Sequence, residues 1–107
     1  MKDLVIGKGK LAGKGVYADR NFKKGEVVIK YHLKSLTPEE FNALPDSEKM
    51  FTHRHKGIIN LYGEPERFVN RSKDPNTIQD WVILADVALR DIAKDEAITT
   101  DATKDDI

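Results

Sequence analysis

The sequence has no cysteine, no net charge and no long apolar run, and each absence excludes a class of protein. Without cysteine, the 107-residue chain forms no disulfide framework and no thiolate zinc site. Its apolar runs are far shorter than the ~20 residues that a membrane helix needs. Lys plus Arg and Asp plus Glu both total 18, so no summed positive field is available to hold nucleic acid. We therefore expect no direct nucleic-acid partner and no membrane partner.

The length and the first residues bear on organisation and location. A second domain would leave each part with too little interior to offset its chain entropy, so we expect one domain over residues 1–107. Met1 leads directly into Lys2 and Asp3 rather than into a signal peptide, which predicts an intracellular protein, cytoplasmic with the nucleus as the alternative. The oligomeric state is left open.

Short β-branched runs and tight turns predict a β-rich α+β domain. Strands are expected at residues 4–6, 16–18, 26–31, 58–62, 81–85, 87–89 and 97–100, with a loop at residues 7–15 and a hairpin formed by strands 16–18 and 26–31. One helix has a clear start, since Thr37 can cap it, Pro38 suits the first position and Glu40 completes a capping box. Pro45 should end it, and a short helical stretch can follow at residues 47–51.

Residues 18–29 and 88–99 share a pattern of strand, Arg, turn, Glu and strand. The matched pairs are Ala18 with Ala88, Arg20 with Arg90, Lys24 with Lys94 and Glu26 with Glu96. Either one hairpin design is used twice, or similar turn chemistry arose in two places.

Several clusters could carry chemistry, and each has a plain structural alternative. The basic glycine run at residues 7–15 could bind phosphate, but Lys8 and Gly15 stand where a P-loop needs Gly and Ser or Thr, which favours a flexible turn. His53 and His55 could ligate a metal on one strand face, although a surface loop is the preferred interpretation. Asp101, Asp105 and Asp106 are typical of a solvated tail. The segment at residues 67–77 crowds short polar side chains around Pro75 and suits either a polar ligand or a structured turn alone.

Three segments in this order resemble the SET family of S-adenosylmethionine-dependent protein-lysine methyltransferases. They are Gly-Lys-Gly-Val-Tyr-Ala at residues 13–18, Arg-Phe-Val-Asn-Arg-Ser followed by Pro75 and Asn76 at residues 67–76, and Ala-Leu-Arg-Asp-Ile-Ala-Lys leading to Asp101 at residues 88–101. The second segment is similar to the family's Arg-Phe-x-Asn-His-Ser-Cys-x-Pro-Asn motif, and the three together span nearly the whole chain.

The resemblance implies a minimal SET domain of small curved sheets with a C-terminal pseudoknot, in which the segment around Asn70 meets the C-terminal stretch. It implies that S-adenosylmethionine lies beside the first segment and that a lysine-containing protein or peptide is the substrate. The cofactor-binding residues that it implies are Ala12, Gly13, Lys14, Gly15, Asn70 and Arg71.

The chain departs from the family at three positions. Ala102 stands at the position of the catalytic Tyr, Arg71 at that of His, and Lys73 at that of Cys, so no zinc-binding post-SET tail can form. We therefore expect a protein-lysine N-methyltransferase domain with impaired transfer, in which Tyr17, Tyr31 or Tyr62 could compensate. Two alternatives are a non-catalytic SET-like module that recognises a lysine-bearing tail, and a small interaction domain without cofactor.

Overall fold

The computed structural model describes residues 3–101. The sequence predictions for Ala102, Asp105 and Asp106 lie outside this range. Between residues 3 and 101, ten strands, two short α-helices and one 3-10 helix follow one another. They are β1 (Leu4–Leu11), β2 (Lys14–Ala18), β3 (Val27–Lys30), β4 (Lys34–Leu36), α1 (Pro38–Ala43), α2 (Asp46–Lys49), β5 (Thr52–His55), β6 (Ile58–Leu61), the 3-10 helix (Glu66–Phe68), β7 (Asn70–Ser72), β8 (Thr77–Asp80), β9 (Ala85–Ala88) and β10 (Thr99–Asp101).

The strands form four small sheets rather than one large one. β1 and β2 form an antiparallel hairpin, and β7 and β10 form a parallel pair. The two three-stranded sheets have the orders β3-β9-β8 and β4-β6-β5, with antiparallel neighbours. Two of these sheets therefore join strands that are far apart in the chain, and this long-range pairing brings the two halves together.

The predicted loop at residues 7–15 is wrong, because most of it is strand. β1 continues through this run to Leu11, and only the turn at Ala12 and Gly13 separates it from β2. A Cβ at Gly9 would overlap the backbone of Lys14, so glycine is needed where the backbones of β1 and β2 approach each other closely.

The predicted hairpin of residues 16–18 and 26–31 is also wrong. β2 pairs with β1, and β3 pairs with β9. The predicted strand at residues 81–85 is mostly a turn, since only Ala85 belongs to β9 and the preceding four residues connect β8 to it. Val82 is 92% exposed in this turn, so its apolar side chain does not mark a buried strand.

The start of α1 is confirmed in detail. The Thr37 hydroxyl accepts a hydrogen bond from the Glu40 backbone N–H at 3.1 Å, and the Glu40 carboxylate accepts one from the Thr37 N–H at 3.0 Å. Both bonds satisfy groups that the helix itself leaves open. Within residues 3–101, no helix has the length and apolar character needed to cross a membrane.

The two copies of the repeated pattern pack against each other in a nearly reciprocal way. Three hydrogen bonds from one copy each have a counterpart from the other. The Phe22 N–H donates to the Ile92 carbonyl oxygen at 2.8 Å, and the Ile92 N–H donates to that of Phe22 at 2.9 Å. The other two reciprocal pairs are Ala18 N to Glu96 O with Ala88 N to Glu26 O, both at 2.9 Å, and Lys24 N to Asp91 Oδ1 at 2.9 Å with Lys94 N to Asn21 Oδ1 at 2.8 Å. The repeated design therefore forms one approximately two-fold unit.

This unit supplies the centre of the core. The residues of the unit in the core include Ala18, Phe22, Ile92 and Ile98, all at most 2% exposed. Phe68 and Val69 pack into the same cluster, which anchors the chain directly before Asn70. The core thus holds the polar segment at residues 70–76 against the rest of the domain.

Candidate active site

Asn70 joins the β1–β2 hairpin to the segment that begins at β7. Its Oδ1 accepts a hydrogen bond from the Lys10 N–H at 3.0 Å, and its Nδ2 donates to the carbonyl oxygens of Lys14 at 3.4 Å and Phe68 at 3.3 Å. A Cβ at Gly15 would lie 2.7 Å from Nδ2, so glycine lets the amide approach the hairpin. The structure therefore brings Asn70 beside Lys14 and Gly15, from which it is 55 or more residues away in the sequence.

The turn of the hairpin is open on its outer side. Ala12 and Gly13 adopt left-handed backbone conformations, with φ of 53° and 76°. A Cβ at Gly13 would meet no heavy atom within 4 Å. A ligand can therefore approach the backbone there without displacing a side chain of the described residues.

The pairing of β7 with β10 brings the C-terminal stretch to the same place. Thr99, Thr100 and Asp101 lie opposite Asn70, Arg71 and Ser72 in parallel register. Asn76 reinforces this junction: its Nδ2 donates to the Ala97 carbonyl oxygen at 2.7 Å, and its Oδ1 accepts from the Thr99 N–H at 2.8 Å. Asn76 is 2% exposed, so this part of the segment at residues 67–77 is a tightly bonded structural turn.

A cavity of about 300 Å³ lies between this junction and the two three-stranded sheets. Leu11, Arg71 and Thr100 line one side of it, and Tyr31, Tyr62 and Asp86 line another. Of the six predicted cofactor-binding residues, only Arg71 lines this cavity. Ala12, Gly13, Lys14, Gly15 and Asn70 do not, although Leu11 next to Ala12 does. The hairpin turn and the cavity are therefore neighbouring features rather than one surface.

The hydroxyl of Thr100 is an unsatisfied group beside this cavity. The residue is 4% exposed, and its Oγ1 has no hydrogen-bond partner within residues 3–101. A buried hydroxyl without a partner is costly, so Thr100 suits a polar group supplied by a ligand. Together with the open turn at Gly13, this fits a polar ligand at the junction of the hairpin, β7 and β10.

Asp86 is the most perturbed acid of the described residues, and it lines the cavity. It is 2% exposed, and the Tyr31 hydroxyl donates a hydrogen bond to its Oδ1. Burial raises the pKa of Asp86 to about 7; the hydrogen bond from Tyr31 opposes this rise, and the charge of Glu66 adds to it. Burial and then Asp86 raise the pKa of Tyr31 well above its usual value, so the phenol remains a donor at neutral pH.

Glu66 is the second acid at the cavity, but its oxygens are committed to structure. Oε2 accepts hydrogen bonds from the backbone N–H groups of His32 and Gly63, and Oε1 lies 3.0 Å from His32 Nδ1. With 6% of its surface exposed, Glu66 holds the chain around the adjacent 3-10 helix. Asp86 is therefore the cavity acid with free capacity for a ligand, since Tyr31 is the only hydrogen-bond partner of its carboxylate among the described residues.

A cluster of rings adjoins the cavity through Tyr31 and Tyr62. Tyr31 contacts Tyr62 edge-on at 6.0 Å and Trp81 at 5.3 Å between ring centroids. His53 and His55 stack on Trp81 at 4.6 and 4.7 Å. The predicted surface loop for the two histidines is wrong, because both lie on β5 and point to one face. Within residues 3–101, no group of three potential ligands is arranged to hold a metal ion.

The sequence predictions named Tyr31 and Tyr62 as candidates to compensate for the phenol missing at Ala102, but they missed Asp86. Tyr31 and Tyr62 line the cavity, whereas Tyr17 donates its hydroxyl hydrogen bond to the Lys8 carbonyl oxygen across the hairpin. Asp86 carried a usable signal, since it is a lone carboxylate between Ala85 and Val87 in an apolar strand. No local pattern placed Tyr31 or Tyr62 at the cavity, because aromatic residues at strand ends are usually part of a core.

Comparisons with known proteins agree with this arrangement. The profile of the SET domain family matches residues 13–101. The variant-silencing SET domain-containing protein of Plasmodium falciparum (isolate 3D7) is 31% identical over 92% of this chain, which spans only 5% of that protein's length.

A crystal structure of another Plasmodium falciparum protein, described as a candidate histone methyltransferase, superposes with a TM-score of 0.75. The superposition covers 95% of this chain and 94% of that one, at 24% identity, so the likeness is one of fold. The predicted β-rich α+β SET fold is confirmed. Because the family profile matches residues 13–101, which is most of the chain, the chain belongs to the SET domain family.

Proposed function

We propose that this chain is an S-adenosylmethionine-dependent protein-lysine N-methyltransferase domain whose transfer step is weakened at Ala102. The observation that carries the proposal is the convergence of three distant segments, the β1–β2 hairpin, β7 and β10, beside a cavity with a buried acid. The family uses S-adenosylmethionine, and the solved relative's description as a candidate histone methyltransferase supports a protein substrate. The choice of a lysine as the target residue rests on the sequence resemblance.

The cofactor would be held by the hairpin and by the start of β7. Gly13 offers an open backbone, Asn70 fixes the hairpin through Lys10 and Lys14, and Thr100 offers an unsatisfied hydroxyl. The residues assigned to cofactor binding are Ala12, Gly13, Lys14, Gly15, Asn70 and Arg71. Arg71 brings a fixed positive charge near a cationic cofactor, so binding through its backbone is favoured over binding through its side chain.

When bound, the cofactor supplies a methyl group on a positively charged sulfur. The chain's own residues must position a neutral amine in line with that group and exclude water. Tyr31 and Tyr62 give the cavity aromatic walls, which suit the aliphatic stem and the amine of a lysine side chain. Positioning and fixed dipoles supply most of the rate in such a site.

Ala102 removes a phenol that the family uses to organise the amine. Losing one such fixed hydrogen-bond group costs on the order of 3 kcal/mol, or about a hundredfold in rate. The same substitution favours a second function, a non-catalytic SET-like module that binds a lysine-bearing tail. We place either form in the cytoplasm or nucleus.

The test combines a binding measurement with restoration of the phenol. S-adenosylmethionine is titrated by calorimetry into this chain and into an Ala102→Tyr/Arg71→His variant, and both are assayed for methyl transfer to a mixed set of lysine peptides. An Ala102→Phe/Arg71→His variant is the matched control, because it restores the ring without the hydroxyl.

We expect cofactor binding to all three proteins and a gain in transfer of about a hundredfold in the Tyr variant over the Phe variant. Peptide binding with no transfer in any variant would favour the binding module. If S-adenosylmethionine binds none of them, the methyltransferase assignment is wrong.

A further inference from the structure

Asp86 occupies an unusual position for an acid. It lies in the central strand of the sheet β3-β9-β8, opposite Ile29 on one side and Gln79 on the other, and it is 2% exposed. A carboxylate in such a place destabilises the fold unless it is paired or protonated. Such acids are often retained because they perform chemistry.

The groups that face Asp86 make it an acceptor for a cationic ligand. The Tyr31 hydroxyl donates a hydrogen bond to Asp86 Oδ1, and Gln79 is neutral. The Glu66 carboxylate already accepts hydrogen bonds from the N–H groups of His32 and Gly63. Arg67 also lines the cavity, but it donates to the Glu48 carboxylate at 3.1 Å and to the Tyr62 carbonyl oxygen at 2.7 Å. Its charge is therefore already matched. Asp86 has no basic partner among the described residues, and its second oxygen is open to a ligand.

Charged side chains on the neighbouring strands lie on the other face. Lys30 and Asp80 are both opposite Ala85 in register, one position away from Asp86. Because alternate residues of a strand point to opposite faces, neither shares the cavity with Asp86. Arg71 lines the cavity from β7 and lies opposite Thr100. Arg71 therefore reaches the cavity from β7, whereas Asp86 reaches it from β9.

We propose that Asp86 accepts the proton that a substrate ammonium group must lose before methyl transfer, with Tyr31 as its positioning residue. This inference rests on the proposed function. A lysine amine is almost wholly protonated at neutral pH, and only its neutral form has the electron pair that attacks a methyl group.

The proton step balances within the cavity. The substrate R–NH3+ and the Asp86 carboxylate become R–NH2 and the Asp86 carboxylic acid, as an N–H bond breaks, an O–H bond forms and the electron pair stays on nitrogen. The neutral amine then forms its C–N bond while the methyl's C–S bond breaks, and that electron pair goes to sulfur. In a buried site, the neutral pair of amine and acid costs less desolvation than the separated ions do.

Burial supports this role because it raises the pKa of Asp86 toward that of the lysine amine. A pKa of about 7 makes Asp86 a much stronger base than an exposed Asp, while leaving enough carboxylate at neutral pH to attract a cation. The rings of Tyr31 and Tyr62 add cation–π attraction for the incoming ammonium group.

The first experiment needs no cofactor. Carbon-13 NMR of aspartate-labelled protein follows the Asp86 carboxyl through a pH titration, with and without saturating n-butylammonium as the probe. We expect titration near pH 7 in the free protein and a fall of one pH unit or more with the probe, because a cation stabilises the carboxylate. Tyr31→Phe should move the free titration upward, because the Tyr31 hydrogen bond favours the charged form.

The second experiment compares Asp86→Asn with Asp80→Asn, the same chemical change on the other face of the sheet. In the Ala102→Tyr/Arg71→His background, Asp86→Asn should lower transfer at pH 7 by 10- to 100-fold and recover as pH rises toward the amine's own pKa. Asp80→Asn should leave the profile unchanged.

The outcomes distinguish the role of Asp86 as proton acceptor from the proposed methyltransferase function. If the probe leaves the Asp86 titration unmoved, or Asp86→Asn keeps the parent pH profile, Asp86 is not the acceptor, whatever the cofactor does. If the probe moves the titration but S-adenosylmethionine fails to bind, the methyltransferase function is overturned and the assignment of Asp86 as the amine-binding acid stands.

Discussion

At the scale of single residues, Asp86 couples the stability of the domain to pH. Its pKa of about 7 in the folded state lies above the usual value of 3.8, and burial is the largest cause. The folded protein therefore holds this proton more tightly than the unfolded chain does. The contribution of Asp86 to stability is fully present below about pH 4 and is lost as pH rises through about 7.

We predict that Asp86→Asn removes a pH dependence rather than simply weakening the fold. Between pH 4 and pH 8 the parent should lose stability relative to Asp86→Asn by on the order of 4 kcal/mol at most, from the difference in pKa. Urea unfolding at several pH values measures this difference. An identical pH dependence in the two proteins would contradict a raised pKa for Asp86.

At the scale of elements, the two turns of the repeated pattern use different residues for the same backbone shape. Gly25 has a φ of 90°, and Asp95, its counterpart, has a φ of 74°. Glycine adopts this left-handed conformation freely, whereas Asp does so at a cost. Both turns end in a Glu whose Oε1 accepts from the turn's backbone, Glu26 from Lys23 at 2.7 Å and Glu96 from Ala93 at 3.2 Å.

We predict that Asp95→Gly stabilises the domain by about 0.5 kcal/mol, because it relieves a left-handed Asp while adding some freedom to the unfolded chain. Gly25→Asp, the reciprocal change, should destabilise it. Lys94→Gly is the matched control, since Lys94 lacks a positive φ, and it should cost up to about 1 kcal/mol. Thermal unfolding compares the three variants, and a loss for Asp95→Gly would show that the turn is not strained.

At the scale of the whole molecule, the two-fold unit connects residues 18–29 to residues 88–99. Phe22 and Ile92 exchange backbone hydrogen bonds at its centre and are 2% and 1% exposed. Neither half can bury these side chains alone. The domain should therefore unfold as one cooperative unit.

We predict that Phe22→Ala costs about 3 to 5 kcal/mol and Ile92→Ala about 2 to 5 kcal/mol, each in a single transition. Val82→Ala is the control: the side chain is 92% exposed, so its loss should stay within about 0.5 kcal/mol. Guanidinium unfolding, followed by the fluorescence of Trp81 and by circular dichroism, tests cooperativity. Two separated transitions in Phe22→Ala would contradict the single unit.

The sequence by itself determined the features that depend on neighbouring residues or on a family motif. The capping box of Thr37 and Glu40 was predictable because both bonds close within four residues. The SET fold followed from motif segments such as the one around Asn70. The meeting of that segment with the C-terminal stretch was implied by the same resemblance, whereas the contact of Asn70 with the β1–β2 hairpin was not predicted.

Only the tertiary structure decided the features that depend on partners far along the chain. β2 and β3 each have strong strand patterns, but their true neighbours, β1 and β9, are chosen by packing, which no local pattern encodes. Asp86 becomes a perturbed acid only because β3 and β8 bury it beside Tyr31. His53 and His55 stack on Trp81, which lies 26 or more residues further along the chain. Local hydrogen bonds and motifs are set by adjacent residues, whereas burial and long-range pairing arise from the competition of the whole chain for one core.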